Sequence, residues 1–212
     1  MDNRECPGPF RTRNTEGFSL ILASGSPRRR HLLQQLGLTF QVKAAAVEEL
    51  FFLPGMEPEW LAMENSRLKA DAVAESCHTA HLLGADTIVV LDNAVLGKPR
   101  DIQHAVEMLS SLCGRWHQVI TGVTLITKIA GKIQLQETFS VSSDVFLADV
   151  GRDLVEAYCR SGEPLDKAGG YAVQGAGAFM VREIRGSWTN VVGLPLFEVI
   201  DRMLRSGMVE PC

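Results

Sequence analysis

The stretch Phe18-Ser19-Leu20-Ile21-Leu22-Ala23-Ser24-Gly25-Ser26-Pro27-Arg28-Arg29-Arg30 decides the fold class. Its first half, residues 18–23, is a short apolar run, the pattern of a buried strand. Its second half opens a helix. Ser26 suits the N-cap, Pro27 suits the first helical position, and Leu32, Leu33 and Leu36 form an apolar stripe before Gly37 stops it. A buried strand that passes through small residues straight into a helix is a building unit of α/β domains.

Working outward, residues 39–43 read as a second strand and 44–58 as a loop with acids at Glu48 and Glu49. Residues 59–76 then read as a helix. The run 82–91 is apolar apart from Asp86. Asp92-Asn93 marks a turn, and Val95-Leu96 a short returning strand. Asp101 caps a helix whose Ile102, Ala105, Val106, Leu109 and Leu112 fall at helical spacing, and Gly114 closes it. Residues 119–126 and 133–146 read as long strands joined near Gly131, and 150–160 as a helix. A glycine-rich loop follows at 161–177, then a last strand at 179–184 and a helix at 196–204. Alternating helices and strands followed by a long hairpin predict an α/β protein with a mixed, twisted sheet flanked by helices.

The 212 residues allow one domain with little to spare, and 46% hydrophobic and 22% charged residues exclude disorder, collagen and coiled coil. A net charge of −4 gives no general attraction to nucleic acid or anionic membranes, so neither is expected as a partner. Any polyanion must meet a local basic pocket. Cys6, Cys77, Cys113, Cys159 and Cys212 are odd in number and scattered. That argues against a disulfide framework or a zinc site and fits a reducing compartment. No apolar run approaches the ~20 residues of a membrane span. Residues 1–17 lack the apolar core of a signal peptide. They are expected to be a flexible extension before a single domain at 18–206 and a tail at 207–212, in a cytoplasmic protein.

Several constellations carry chemistry. Three arginines in the first turn of a helix oppose its dipole. Either they lie on a solvated face and mean nothing, or an anion such as phosphate neutralises both them and the helix start. Asp86 interrupts a buried run. It either caps a turn or serves as a base or metal ligand at a strand end. Glu48-Glu49 is a solvated loop unless it joins Asp86 around a hard cation. Lys69 and Lys98 each read as surface lysines when taken alone, although Pro99 stiffens the backbone beside Lys98. The loop from Ser161 to Tyr171, followed by Gln174-Gly175, gathers Glu163, Asp166 and Lys167 among glycines. It is either a plain turn or an ordered binding loop.

In this order the motifs resemble the Maf family of nucleoside triphosphate pyrophosphatases. They are Leu22-Ala23-Ser24-Gly25-Ser26-Pro27-Arg28-Arg29, Gly84-Ala85-Asp86-Thr87, Gly97-Lys98-Pro99, Thr121-Gly122-Val123, the run from Ser161 to Gly169, and Val191-Val192-Gly193-Leu194-Pro195-Leu196. The resemblance implies a mixed sheet with the nucleotide in a cleft between two lobes, and a homodimer. It implies hydrolysis of a nucleoside triphosphate between its α- and β-phosphates with a divalent metal, Mg²⁺ or Mn²⁺, to clear surplus or non-canonical nucleotides.

Residue by residue, the resemblance assigns triphosphate binding to Ser24, Arg28, Arg29, Lys69, Lys98, Asp166 and Lys167. It further implies that Asp86 is catalytic, taking a proton from the attacking water or orienting it, and that Glu49 with Asp86 holds the metal. Arg28, Ala85-Asp86-Thr87 and Gln174 are similar to the branch acting on dTTP and UTP, so Arg28, Thr87 and Gln174 are assigned to base discrimination. A sister branch acting on 7-methyl-GTP, a CTP-directed member and a non-catalytic nucleotide-binding septation regulator are the alternatives. The chain departs from the family pattern at Glu48, Phe51-Phe52 and Trp188.

Overall fold

A computed structural model describes residues 8–13 and 18–212. Strand β1 (Phe10–Thr12) precedes β2 (Leu20–Leu22), all of whose side chains are buried, and helix α1 (Pro27–Gln35). Then come β3 (Gln41–Val42), α2 (Pro58–Glu75), β4 (Ala80–Leu91), β5 (Ala94–Leu96) and α3 (Ile102–Leu112). The long hairpin β6 (Trp116–Ile129) and β7 (Lys132–Leu147) leads to α4 (Arg152–Arg160) and a run of short 3₁₀ turns between Glu163 and Met180. The chain closes with β8 (Val181–Arg185), α5 (Trp188–Val192), α6 (Leu196–Arg205) and β9 (Val209–Pro211).

The sheet order is β3-β2-β4-β6-β7-β8, with β5 folded back on β4. β2 runs parallel to β3 and β4, while the β4–β6, β6–β7 and β7–β8 pairs are antiparallel. The mixed α/β sheet expected from the sequence is present. β4 is nearly all buried because it is central and covered on both faces, which is why it reads as a continuous apolar run. Asp92 and Asn93 both take positive φ, at 50° and 62°. They form the two-residue turn that places Leu91 opposite Ala94.

α2 packs across β4 and β6. Two glycines make this approach possible: a Cβ on Gly84 would meet Ser66 O at 2.5 Å, and one on Gly122 would meet Ala62 O at 2.1 Å. Two large apolar clusters form. One gathers Leu20, Leu22, Leu32, Leu33, Val192 and Met203; the other gathers Val89, Leu109, Val119, Val145, Tyr158 and Tyr171.

Several expectations shift. Pairing of β8 with β7 starts only where Ala148 N donates to Met180 O. Phe179 therefore lies in a 3₁₀ turn, half exposed, instead of in a strand. α5 escaped notice because five residues show no helical period; Ser187 Oγ caps it by accepting from Asn190 N at 3.2 Å. At α1, Ser26 stands at the N-cap without a side-chain capping bond. β1 and β9 pair antiparallel, Phe10 opposite Pro211. Phe10–Thr12 falls inside the stretch expected to be a flexible extension, and Val209–Pro211 inside the expected tail. Residues 1–7 and 14–17 lie outside the described residues.

Cys77, Cys113 and Cys159 are free, but Cys212 is disulfide-bonded. That corrects the expectation of a chain without disulfides, and the cysteines no longer argue for a reducing compartment. The physical reason is the docking of the chain's two ends: Cys212 N also donates to Pro9 O at 3.1 Å. Among the described residues, no helix is long and apolar enough to cross a membrane.

Candidate functional site

A cavity of about 830 Å³ opens at the carboxyl ends of β2 and β4, lined by residues of both apolar clusters. Every residue to which the resemblance assigns a role lines it: Ser24, Arg28, Arg29, Glu49, Lys69, Asp86, Thr87, Lys98, Asp166, Lys167 and Gln174. Glu48 does not. Five cationic side chains meet three carboxylates here, in a chain that is acidic overall.

The β2–α1 turn is built around Ser24 and Arg29. Ser24 Oγ accepts from Ser26 N at 3.3 Å and from Arg29 Nη1 at 2.9 Å. Arg29, only 8% exposed, also donates from Nε to Gly193 O at 2.7 Å and from Nη2 to Thr87 Oγ1 at 2.9 Å. The guanidinium is thus occupied by neutral oxygens and bonds no carboxylate directly. Burial pulls its pKa down, and the nearby Asp86 charge opposes that pull. Arg29 is a fixed positive charge in the cavity wall, tying the turn, β4 and the α5–α6 connection together. Thr87 is held equally firmly, because its hydroxyl also meets Thr121 Oγ1 at 2.9 Å. Thr121 in turn donates to Asn190 O at 3.2 Å.

The acidic half of the site comes from three elements. Lys69 on α2 extends its Nζ to Asp86 Oδ1 on β4 at 2.6 Å and to Glu49 Oε1 on the β3–α2 loop at 2.6 Å. The lysine and Asp86 are largely shielded from solvent, and Glu49 is half exposed. One ammonium therefore bridges two carboxylates, which would otherwise repel. Asp86 is a buried, paired acid facing the cavity, and the turn-capping alternative is set aside.

The loop after α4 also lines the cavity and brings Asp166 between two cations. Lys167 Nζ reaches Asp166 Oδ1 at 2.6 Å and Glu163 O at 2.7 Å, and Arg28 Nη1 lies 3.7 Å from Asp166 Oδ2. The Lys167 hydrogen bond, with Arg28 adding, holds the Asp166 carboxyl below the usual range. Glu163 orders the loop by accepting from Ala176 N, Gly177 N and Tyr158 Oη at 3.1, 3.4 and 3.2 Å. Beneath it, Tyr171 Oη meets His117 Nε2 at 2.7 Å. Burial lowers the His117 pKa to about 4 and pushes the Tyr171 phenol up. Lys98 and Gln174 line the cavity with no hydrogen bond from either side chain to another described residue.

Sequence reasoning missed Gly193, whose carbonyl anchors Arg29, and Thr121. His117 is buried and is held by its bond to Tyr171. Thr121-Gly122-Val123 and Gly193 stood inside quoted motifs, but nothing local revealed that their backbone or hydroxyl groups would serve Arg29 and Thr87.

A mixed α/β domain with a polar cavity at the strand ends, where two arginines after a Ser-Gly-Ser-Pro turn meet lysines from three other segments, is the class that fold and site define together. The chain belongs to the Maf family: the profile described as Maf-like protein matches residues 19–206. It is 44% identical over 191 residues to the dTTP/UTP pyrophosphatase of Desulfotalea psychrophila, covering 90% of this chain and 96% of that one. It is 46% identical over 188 residues to the dTTP/UTP pyrophosphatase of Syntrophus aciditrophicus, with 89% and 90% coverage. A HAM1 protein from Coxiella burnetii is similar in structure at a TM-score of 0.44 and 15% identity, over 62% of this chain and 74% of that one.

Proposed function

We propose that the chain hydrolyses dTTP and UTP to the monophosphate and pyrophosphate, as the names of its relatives at 42–46% identity suggest. The observation that carries the reading is the bridge from Lys69 to Glu49 and Asp86, in one cavity with Arg28, Lys98 and Lys167. Such a site offers positive charge to a polyphosphate and a carboxylate to a water molecule.

The donor set fits a hard divalent cation. Two carboxylates already converge on one positive centre, and Mg²⁺ favours one or two carboxylates together with substrate phosphate oxygens. Among the described residues there is no cluster of three or more His, Cys, Asp or Glu, so phosphate oxygens and water would complete the shell. Glu49 and Asp86 would hold the ion, which would supply charge neutralisation and polarisation of the α-phosphorus.

The chain's own residues do the remainder. Arg28 and the Ser24–Ser26 backbone grip phosphate oxygens, and Arg29 supplies a fixed field from within the wall. Lys69 leaves its carboxylates for the phosphates, while Lys98 and Lys167 stabilise the departing pyrophosphate. Asp86 accepts the proton of the attacking water as its oxygen bonds to the α-phosphorus. The bond from the α-phosphorus to the bridging oxygen breaks, and pyrophosphate leaves with that oxygen. Gln174, whose amide both donates and accepts, reads the pyrimidine edge. Arg28 keeps its expected part in discrimination, while Thr87 contributes through Arg29. A homodimer and a cytoplasmic nucleotide pool complete the reading.

Asp86→Asn tests it. Pyrophosphate release from dTTP with Mg²⁺ should fall about 10²- to 10⁴-fold, the span of general-base removal. A purified variant working at the wild-type rate would refute the assignment, and wild-type turnover undiminished by EDTA would refute the metal.

A further inference from the structure

We propose that Asn65 is a positioning residue, a neutral clamp that keeps Glu49 at the cation site; this rests on the metal-assisted reading above. Asn65 is 3% exposed on α2. Its Oδ1 accepts from Leu50 N at 2.8 Å and its Nδ2 donates to Leu50 O at 3.2 Å. Both main-chain polar groups of Leu50 are thus taken up by one side chain 15 residues away.

The segment so held has little else to hold it. No strand or helix forms between Val42 and Pro58. Leu50, Phe51 and Leu53 are 39%, 77% and 57% exposed and Phe52 is only partly buried, so apolar burial pins the stretch around Leu50 weakly. Asparagine is a poor helix former, and a buried amide is costly unless fully paired. In mid-helix it is explained by the clamp.

α2 grips two consecutive loop residues from positions one turn apart: Asn65 takes the Leu50 backbone, and Lys69 takes the Glu49 carboxylate at 2.6 Å. The two grips differ in kind. The ammonium is drawn away by an arriving polyphosphate and then releases Glu49. The carboxamide bonds the backbone and does not compete for phosphate charge. Glu49 therefore stays within reach of the cation when Lys69 departs. Pre-ordering the backbone of one residue is worth about tenfold in a binding constant.

The test uses Asn65→Leu, close in volume but without hydrogen bonds. Mn²⁺ binding is read by electron paramagnetic resonance with the α,β-imido analogue of dTTP present. Amide hydrogen exchange at Leu50 is measured in wild type and variant. Mn²⁺ should bind about tenfold more weakly and the KM for Mn²⁺ should rise equally. At saturating Mn²⁺, kcat should stay within about twofold, and Leu50 amide protection should disappear. Unchanged Mn²⁺ affinity, or a fall in kcat with affinity intact, overturns the inference. Should the variant not fold, the wild-type protein decides: a Leu50 amide exchanging as fast as its neighbours overturns the clamp, and a protected one supports it. A wild type that neither binds Mn²⁺ with the analogue nor cleaves dTTP refutes the proposed function instead, and the exchange measurement still judges the clamp.

Discussion

Placing a methyl group at Gly122 should separate Lys69 from Asp86 without touching either. Gly122 lies on β6 directly opposite Asp86 on β4, under helix α2. A Cβ there would stand 2.1 Å from Ala62 O, 2.2 Å from Ala62 C and 2.5 Å from Met63 N, all backbone atoms that no rotamer change can move. Contacts shorter than 3.0 Å are essentially never made, so α2 must retreat by about 1 Å. Lys69 rides on that helix. Its 2.6 Å bond to Asp86 would stretch beyond the usual hydrogen-bond limit of about 3.2 Å.

Overpacking of this kind costs about 1–3 kcal/mol. For a domain of this size that lowers Tm by about 2–12 °C. A displacement of about 1 Å in a reacting group costs about 100-fold in rate. Gly122→Ala should therefore unfold several degrees early by thermal melt and release pyrophosphate from dTTP about 100-fold more slowly. Gly97→Ala is the stability control, because a Cβ there meets nothing within 4 Å and Tm should not move. A Gly122→Ala protein with wild-type Tm and wild-type turnover would refute the close seating of α2 as the support of the site.

Two further outcomes follow from the buried polar groups. The His117 pKa is about 4 in the folded protein against 6.5 ordinarily, because burial disfavours the imidazolium. The unfolded chain therefore takes the proton first, and stability is full above pH 6.5 and falls as pH drops towards 4. His117→Gln, which can still bond Tyr171 Oη, should remove on the order of 3 kcal/mol of the loss between pH 7 and pH 4. Urea melts across that range check this, and an unchanged pH slope would sink it. Arg29→Lys keeps the charge but not the fork to Gly193, Ser24 and Thr87, so stability should drop by about 1–3 kcal/mol. A wild-type urea midpoint would show those bonds to be expendable.

Much of the fold was legible because its signals are local. The strand-turn-helix at 18–36, the Asp101 cap and the Asp92-Asn93 turn each rest on residues within a few positions of one another, where sterics and hydrogen bonding leave few choices. Asp101 Oδ1 does accept from His104 N at 2.7 Å. Elements too short or too isolated to carry a period were lost: α5 has five residues, and β1 and β9 three each. Their existence depends on a capping hydroxyl and on a partner at the other end of the chain.

The residue types of the site were equally readable, since a carboxylate in an apolar run and arginines at a helix start are costly unless a ligand or partner answers them. Which group answers which was not. Taken by itself, the order of residues determined an α/β domain and the kinds of charge it carries, while the gathering of those charges at one site was implied only by the family resemblance. Only the tertiary structure decided that Lys69 bridges Glu49 and Asp86, that Arg29 is occupied by Gly193 across 164 positions, and that Asn65 holds Leu50. Those contacts arise from the seating of α2 on two glycines and the docking of α5 against β6 and β7. Packing sets such distances through surfaces far apart along the chain, where neither hydrophobic period nor motif spacing carries information.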